Sequence, residues 1–276
     1  MESALQRRIQ RYGWDRAAEH YERLWSSQLK PAQERLLELA ELEPGARVLE
    51  ISCGTGLVTW PLASLVGSTG YILATDISER MVEQTAAEAA RRGLSQVACR
   101  RVDAESIEAA DASFDAVVCA LGLMYVPHVA AALEQMCRVL APGGRIAAAV
   151  WGARNRCGWA DVFPIVESRV ASDVCPLFFH LGTGDTLAAS LTTAGFVNVR
   201  AERLSSTLSY DSDDEATDAA FVGGPVALAY SRFDALTRAA ARKEYLESIA
   251  AYRVGDGYRV PGEFVVACGN KPHSGP

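Results

Sequence analysis

The chain lacks an excess of basic charge. Its 27 lysines and arginines are outnumbered by 34 acids, so the formal net charge is -7 and the pI lies near 5.2. There is no basic run and no basic–aromatic stripe, so a nucleic-acid partner is not expected; neutralised phosphates dominate that kind of affinity. Long apolar runs are missing too. No stretch approaches the roughly 18 uninterrupted apolar residues of a membrane span. Met1 to Arg11 is polar and basic without an apolar centre, so it does not read as a signal peptide. The seven cysteines are odd in number, scattered and never spaced Cys-x-x-Cys, which speaks against a disulfide or zinc framework. No metal is expected, and the cytoplasm is the expected compartment. Internal repeats are absent. Apolar residues at 49% and charged ones at 22% then suit a globular chain, read as one domain over residues 1–276.

What is there is organised around one stretch, Val48 to Thr59. Val48-Leu49-Glu50-Ile51 is an apolar run holding one acid, preceded by Pro44-Gly45, and predicts a buried central strand leaving a turn. Gly54 and Gly56 permit a tight turn and let a ligand approach the backbone, because neither has a Cβ. The helix-like stretch beyond them aims unpaired N–H groups back over the loop. This is the pattern of the first strand–loop–helix turn in a nucleotide-binding α/β sheet. Asp76 ends the second apolar run, Tyr71 to Thr75, where an acid can accept from ribose hydroxyls. The glycines alone also fit a plain turn. Thr59 stands where a dinucleotide fingerprint wants Gly or Ala, and Glu50 suits a ligand bearing an ammonium group.

Residues 1–43 read as helical. Trp14, Ala17, Ala18, Tyr21 and Trp25 form one aromatic face, and Pro31 is expected to start a second helix. Ser78 is expected to cap a helix running to Arg92. Further strands are expected at Val97–Val102, Phe114–Ala120 and Arg145–Trp151, with a helix from His128 to Leu140 before a turn at Ala141-Pro142-Gly143-Gly144. Beyond Trp151, residues 152–184 are irregular, Asp185–Ala194 is helical, and Val197–Leu204 is a strand. Residues 205–261 are expected to be mostly helical, and Gly262–Gly269 to be the last strand. Short connections require right-handed crossovers and a parallel sheet, with ligands outside the carboxyl ends of the strands.

The run Val48 to Gly56, Ala74-Thr75-Asp76-Ile77-Ser78, Asp103-Ala104, Ser113 to Val118 and Arg138 to Gly144 resembles, in order and spacing, the signatures of class I S-adenosylmethionine (SAM) methyltransferases. The nearest pattern is the ubiquinone/menaquinone biosynthesis C-methyltransferase-like (methyltransferase type 11) group. The resemblance implies a Rossmann-like α/β fold: a seven-stranded, mostly parallel sheet with an antiparallel last strand, helices on both faces and helical lid insertions. It divides the domain into a helical cap at 1–43, a SAM-binding core at 44–151, substrate and lid segments at 152–184 and 205–261, and sheet completion at 185–204 and 262–270. It also implies roles. Glu50 orients the methionine ammonium, partly through the loop, while Ser52, Gly54, Thr55 and Gly56 line the methionine portion. Asp76 accepts from the ribose, Ile77 and Met81 pack on the adenine, Asp103 and Ala104 meet its edge, and Ala120 touches the methionine end. Tyr21 or Trp25 covers the cofactor; packing on the sheet is the plainer reading of that face. Ser52 departs from the family, which has glycine there, so its φ is expected to be negative or its hydroxyl to face away from the ligand.

The implied function is methyl transfer from SAM to a small acceptor, leaving S-adenosylhomocysteine (SAH), by a monomer or homodimer. The rings between Trp151 and Tyr252 suit an aromatic or isoprenoid metabolite. His180, beside Phe178-Phe179, is the best candidate base, because an unperturbed imidazole titrates near working pH. Met124 stands where quinone-modifying members carry a basic residue, which argues against a quinone. Cys157 and Cys175 invite a reading as arsenite ligands, though free cysteines are usually buried hydrophobes. A SAM-binding regulator or subunit without catalysis, and an NAD(P)-dependent oxidoreductase, are the alternatives.

Overall fold

The computed structural model describes residues 3–170 and 177–273. In chain order the elements are α1 (Ser3–Ala40), β1 (Arg47–Ile51), α2 (Thr59–Val66), β2 (Tyr71–Asp76), α3 (Glu79–Arg91), β3 (Val97–Arg101), β4 (Phe114–Ala120), α4 (Val129–Val139), β5 (Leu140–Trp151), α5 (Val162–Glu167), α6 (Thr186–Thr193), β6 (Val197–Tyr210), α7 (Asp213–Phe221), α8 (Ala227–Ser231), α9 (Ala235–Ser248), β7 (Arg253–Val254) and β8 (Gly257–Asn270). The sheet order is β3-β2-β1-β4-β5-β8-β6, with β7 pairing beside β8. Strands β1 to β5 pair in parallel. The last long strand, β8, runs antiparallel between β5 and β6. Covered faces explain why β1 and β4 read as nearly continuous apolar runs. The fold is the expected Rossmann-like sheet flanked by helices, with β7 as an eighth, two-residue strand.

Three expectations need correcting. Pro31 does not start a second helix, because α1 runs unbroken through it. An interior proline costs about 3 kcal/mol. Leu24, Trp25, Leu29 and Leu36 are all buried on this helix, and each apolar side chain so placed returns roughly 1.5–3 kcal/mol, which outweighs that cost. The segment 205–261 is less helical than expected, since β6 and β8 stay paired from Val197 against Asn270 out to Tyr210 against Tyr258. The Ala141–Gly144 turn is an irregular entry to β5, where the register against β4 slips.

Local signals place the rest. The Ser78 hydroxyl accepts from the Met81 N–H at 3.2 Å and caps α3, which packs on β2 and β3. Helix α1 lies along β4, β5, β6 and β8 and also touches α3, α7 and α8. Among the described residues, no helix is long and apolar enough to cross a membrane. The strand order reverses between β1 and β4, and the carboxyl ends on either side of that point open into one cavity.

Candidate active site

The loop after β1 is held by backbone and carboxylate together. Cys53 N–H donates to the Thr75 carbonyl at 2.9 Å, and Gly54 N–H donates to Asp76 Oδ2 at 3.0 Å. Asp76 Oδ1 accepts from Ser78 N–H at 2.9 Å, so one carboxylate ties the glycine loop to the start of α3. Burial pushes the Asp76 carboxyl up to about 6. Gly54 has φ +57° with Tyr21 lying over it, and a Cβ at Gly56 would run into the Trp60 ring.

Ser52 sits at φ +58°, contrary to the first of the two expected conformations. Its side chain is turned against Gly122, where any Cβ would collide with it. Leu121, at the end of β4, has φ +59°. Two non-glycine residues in this costly conformation therefore flank the reversal point, a place where strain often accompanies a site.

The empty space between the walls of the cavity, open solvent included, is about 990 Å³. It crosses the strand ends from Val102–Ala104 after β3 to Trp151 at the end of β5, four strand spacings of about 4.8 Å. At the β1–β3 end, Ser52, Gly54, Asp76, Ile77, Met81, Asp103 and Ala104 line it. Ala120, Tyr21 and Trp25 line it farther along, and Met124 is a buried part of its wall. Glu50, Thr55 and Gly56 are not in the lining. Glu50 is buried beneath the loop, accepts from the Thr59 hydroxyl at 2.6 Å, and is pushed up to about 8 by burial. Thr59, singled out only for misfitting a dinucleotide fingerprint, is thus its partner.

The structure places His180 away from this cavity. Its ring is exposed in the turn after Phe178 and lines no part of the cavity. Phe178 is buried while His180, two residues on, is exposed. Cys157 is buried, with its thiol toward the Glu263 carbonyl, and Cys175 lies outside the described residues. Among the described residues no group of three His, Cys, Asp or Glu could hold a metal.

Several lining residues went unread in the sequence. Arg7 reaches Asp103 at 3.5 Å and Glu105 at 2.7 Å, and Gln10 is buried beside the same end. Both continue the helical stripe of Trp14, Tyr21 and Trp25 toward the N-terminus, and that spacing was the available signal. At the β4–β5 end, Trp25, Trp151, Trp159 and Phe178 make a wall of edge-on rings with centroids 4.8–6.3 Å apart.

Residues 48–144 match a family described as "Methyltransferase domain". The chain is 33% identical over 201 residues to nocamycin O-methyltransferase of Saccharothrix syringae, covering 68% of this chain and 72% of that one. It is 40% identical over 111 residues to the ubiquinone/menaquinone biosynthesis C-methyltransferase UbiE of Ectopseudomonas mendocina, 40% of this chain and 43% of that relative's length. In fold it is similar to phosphoethanolamine N-methyltransferase 2 of Haemonchus contortus solved with S-adenosyl-L-methionine, at TM-score 0.62 and 15% identity, covering 94% of this chain and 57% of that one. The sheet order, the loop that meets an acid at the end of β2, and the match to a methyltransferase over most of its length make this chain a member of the class I SAM-dependent methyltransferases, an enzyme whose cofactor is S-adenosylmethionine.

Proposed function

We propose that this methyltransferase acts on a small aromatic or isoprenoid metabolite seated against Trp25, Trp151, Trp159 and Phe178. The observation that carries the reading is a single cavity with acids at the β2 and β3 ends and a wall of rings at the β5 end. The relatives point the same way, since their names describe transfer to oxygen and to carbon of small metabolites. In this reading residues 1–43 cap the cavity, 44–151 hold the cofactor, and 152–184 and 205–261 cover the acceptor. The stretches 185–204 and 262–270 complete the sheet of one domain.

The donor set suits SAM. Asp76 accepts from the backbone N–H groups of Gly54 and Ser78, with the Ile77 N–H also directed at it, and keeps lone-pair capacity for a ribose hydroxyl. Asp103, already beside Arg7, takes the adenine amino group, with the Ala104 N–H at the ring edge and Ile77 and Met81 against its faces. Ser52, Gly54, Thr55 and Gly56 shape the methionine end, next to Ala120. Glu50 acts from beneath the loop on the ammonium, and Tyr21 and Trp25 close the site from α1. Bound SAM supplies a sulfonium whose methyl leaves readily, so the protein has chiefly to align the acceptor and exclude water.

Calorimetric titration with SAM tests the cofactor half. Asp76→Ala is expected to weaken binding at least tenfold, because a hydrogen bond to a charged acceptor is worth about 1.5–3 kcal/mol. An affinity unchanged within twofold would place the cofactor elsewhere. Transfer of labelled methyl to a panel of aromatic, isoprenoid and hydrophilic acceptors tests the other half, and turnover confined to hydrophilic acceptors would overturn it.

A further inference from the structure

The acceptor end of the cavity holds two polar groups with nothing to bond. Trp25 and Trp159 are only 5% and 3% exposed, both line the cavity, and their rings meet edge-on at 6.3 Å. The indole Nε1 of each is buried with no hydrogen-bond partner. A buried donor left unpaired costs free energy, so such a pair at a cavity wall implies that a ligand supplies the acceptor. Gly223 leaves the space beside one of them free of a side chain. A Cβ at Gly223 would stand 3.2 Å from Trp25 Nε1, and Gly224 and Pro225 continue that edge into the cavity lining.

Among the described residues, the ionisable groups lining the acceptor end are the phenols of Tyr21 and Tyr125, and a neutral phenol is a poor base. No histidine, lysine or cysteine is in the cavity lining among the described residues, and its only carboxylates, Asp76 and Asp103, lie at the β2–β3 end. An alcohol or weakly acidic phenol needs a general base for methylation, whereas an oxygen already ionised in solution does not.

Building on the function proposed above, we infer that the acceptor carries an acidic oxygen, a carboxylate or an enolate, on a planar apolar scaffold, and that Trp25 and Trp159 donate their indole N–H groups to it. The acceptor oxygen takes the methyl group directly. The O–C bond forms as the C–S bond breaks, the electron pair stays on sulfur, and the anion and the sulfonium become a neutral ester or enol ether and a neutral thioether. No proton is released, and no base is required. The two N–H donors orient the anion without a fixed positive charge that would compete with the sulfonium for it.

The test is calorimetry on the SAH-saturated enzyme with three probes of one shape: 2-naphthoate, 2-naphthamide and 2-naphthylmethylamine. Naphthoate is expected to bind at least tenfold more tightly than the amide or the amine. Trp159→Phe and Trp25→Phe keep a ring and remove the donor, and each is expected to narrow that preference to within threefold; the Trp159 variant is also expected to keep SAH affinity within twofold. Equal or tighter binding of the amide or amine, no binding by any probe at millimolar concentration, or a preference untouched by both substitutions would overturn the inference. The wild-type comparison stands even if one variant does not fold. Failure of SAH itself to bind would instead sink the cofactor placement on which the inference rests.

Discussion

Ser52 carries its side chain at φ +58° and lodges it against Gly122, and the two positions constrain each other. The left-handed conformation costs a non-glycine residue roughly 1–2 kcal/mol, while a glycine introduced there loses about 0.4–1 kcal/mol through the freedom it adds to the unfolded chain. Ser52→Gly is therefore expected to leave the protein equally stable or up to about 1.5 kcal/mol more stable, with SAM affinity within threefold, as denaturant melts and calorimetry will report. Gly122→Ala drives a methyl into the serine and is expected to cost on the order of 1–3 kcal/mol. Made in the Ser52→Gly background, the same change should cost less than half as much; a cost independent of residue 52 would show that the contact is not what matters. Part of this site was legible at the residue scale. Asp76 and Asp103 could be read because acids at strand ends have fixed offsets from the glycine loop. The Glu50–Thr59 bond could not, although both residues drew notice, because which way a side chain turns under a loop is decided by packing.

Helix α1 shows where reading by element fails. Proline is treated as punctuation because it removes one hydrogen bond and clashes with the preceding turn. The counterweight, apolar burial along β4, β5 and β8, involves strands more than seventy residues away and leaves no local trace. Pro31 itself is exposed on the helix. Pro31→Ala should restore the missing bond without disturbing the core, and is expected to raise stability by about 1–3 kcal/mol. A thermal melt that moves down, or not at all, would mean that the helix bends at Pro31 in a way the packing requires. The parallel strands, by contrast, were readable because burial on both faces writes itself as an apolar run. The outer ends of β6 and β8 were not. Along most of β6 exposed residues mix with half-buried ones and only Leu208 and Tyr210 are buried, so little apolar patterning distinguishes it from a loop.

For the molecule as a whole, two buried acids set a pH dependence opposite to the usual one. Glu50 rises from the ordinary 4.5 to about 8, and Asp76 from 3.8 to about 6, both chiefly through burial. Between those limits the folded protein holds protons that the unfolded chain has released. The stability these groups contribute is complete at low pH and is lost as the pH rises through 6 and then 8. Glu50→Gln removes the larger of the two contributions while keeping an acceptor for Thr59. The melting temperature of the ligand-free variant should climb relative to wild type as the pH goes from 4.5 to 8, by at least roughly 3 °C at the upper end. A constant difference across that range would mean that Glu50 is ionised in the folded protein throughout. Both acids lie beneath or beside the cofactor end, so the ligand-free enzyme stores an electrostatic cost there that a cationic ligand relieves.

The unbroken course of α1 has one more consequence. Arg7 on its first turns meets Asp103 at the β3 end of the cavity, and Trp25 on a later turn meets Trp151 at the β5 end. A helix moves as a rod, so a ligand that draws in one half repositions the other, and the two ligands become levers on each other. Linkage then demands symmetry: whatever factor SAH adds to the affinity of naphthoate, naphthoate must add to that of SAH. Helix-breaking substitution at exposed Tyr12, Tyr12→Pro, should uncouple the two and bring both factors toward one, leaving each ligand to bind as though the other were absent.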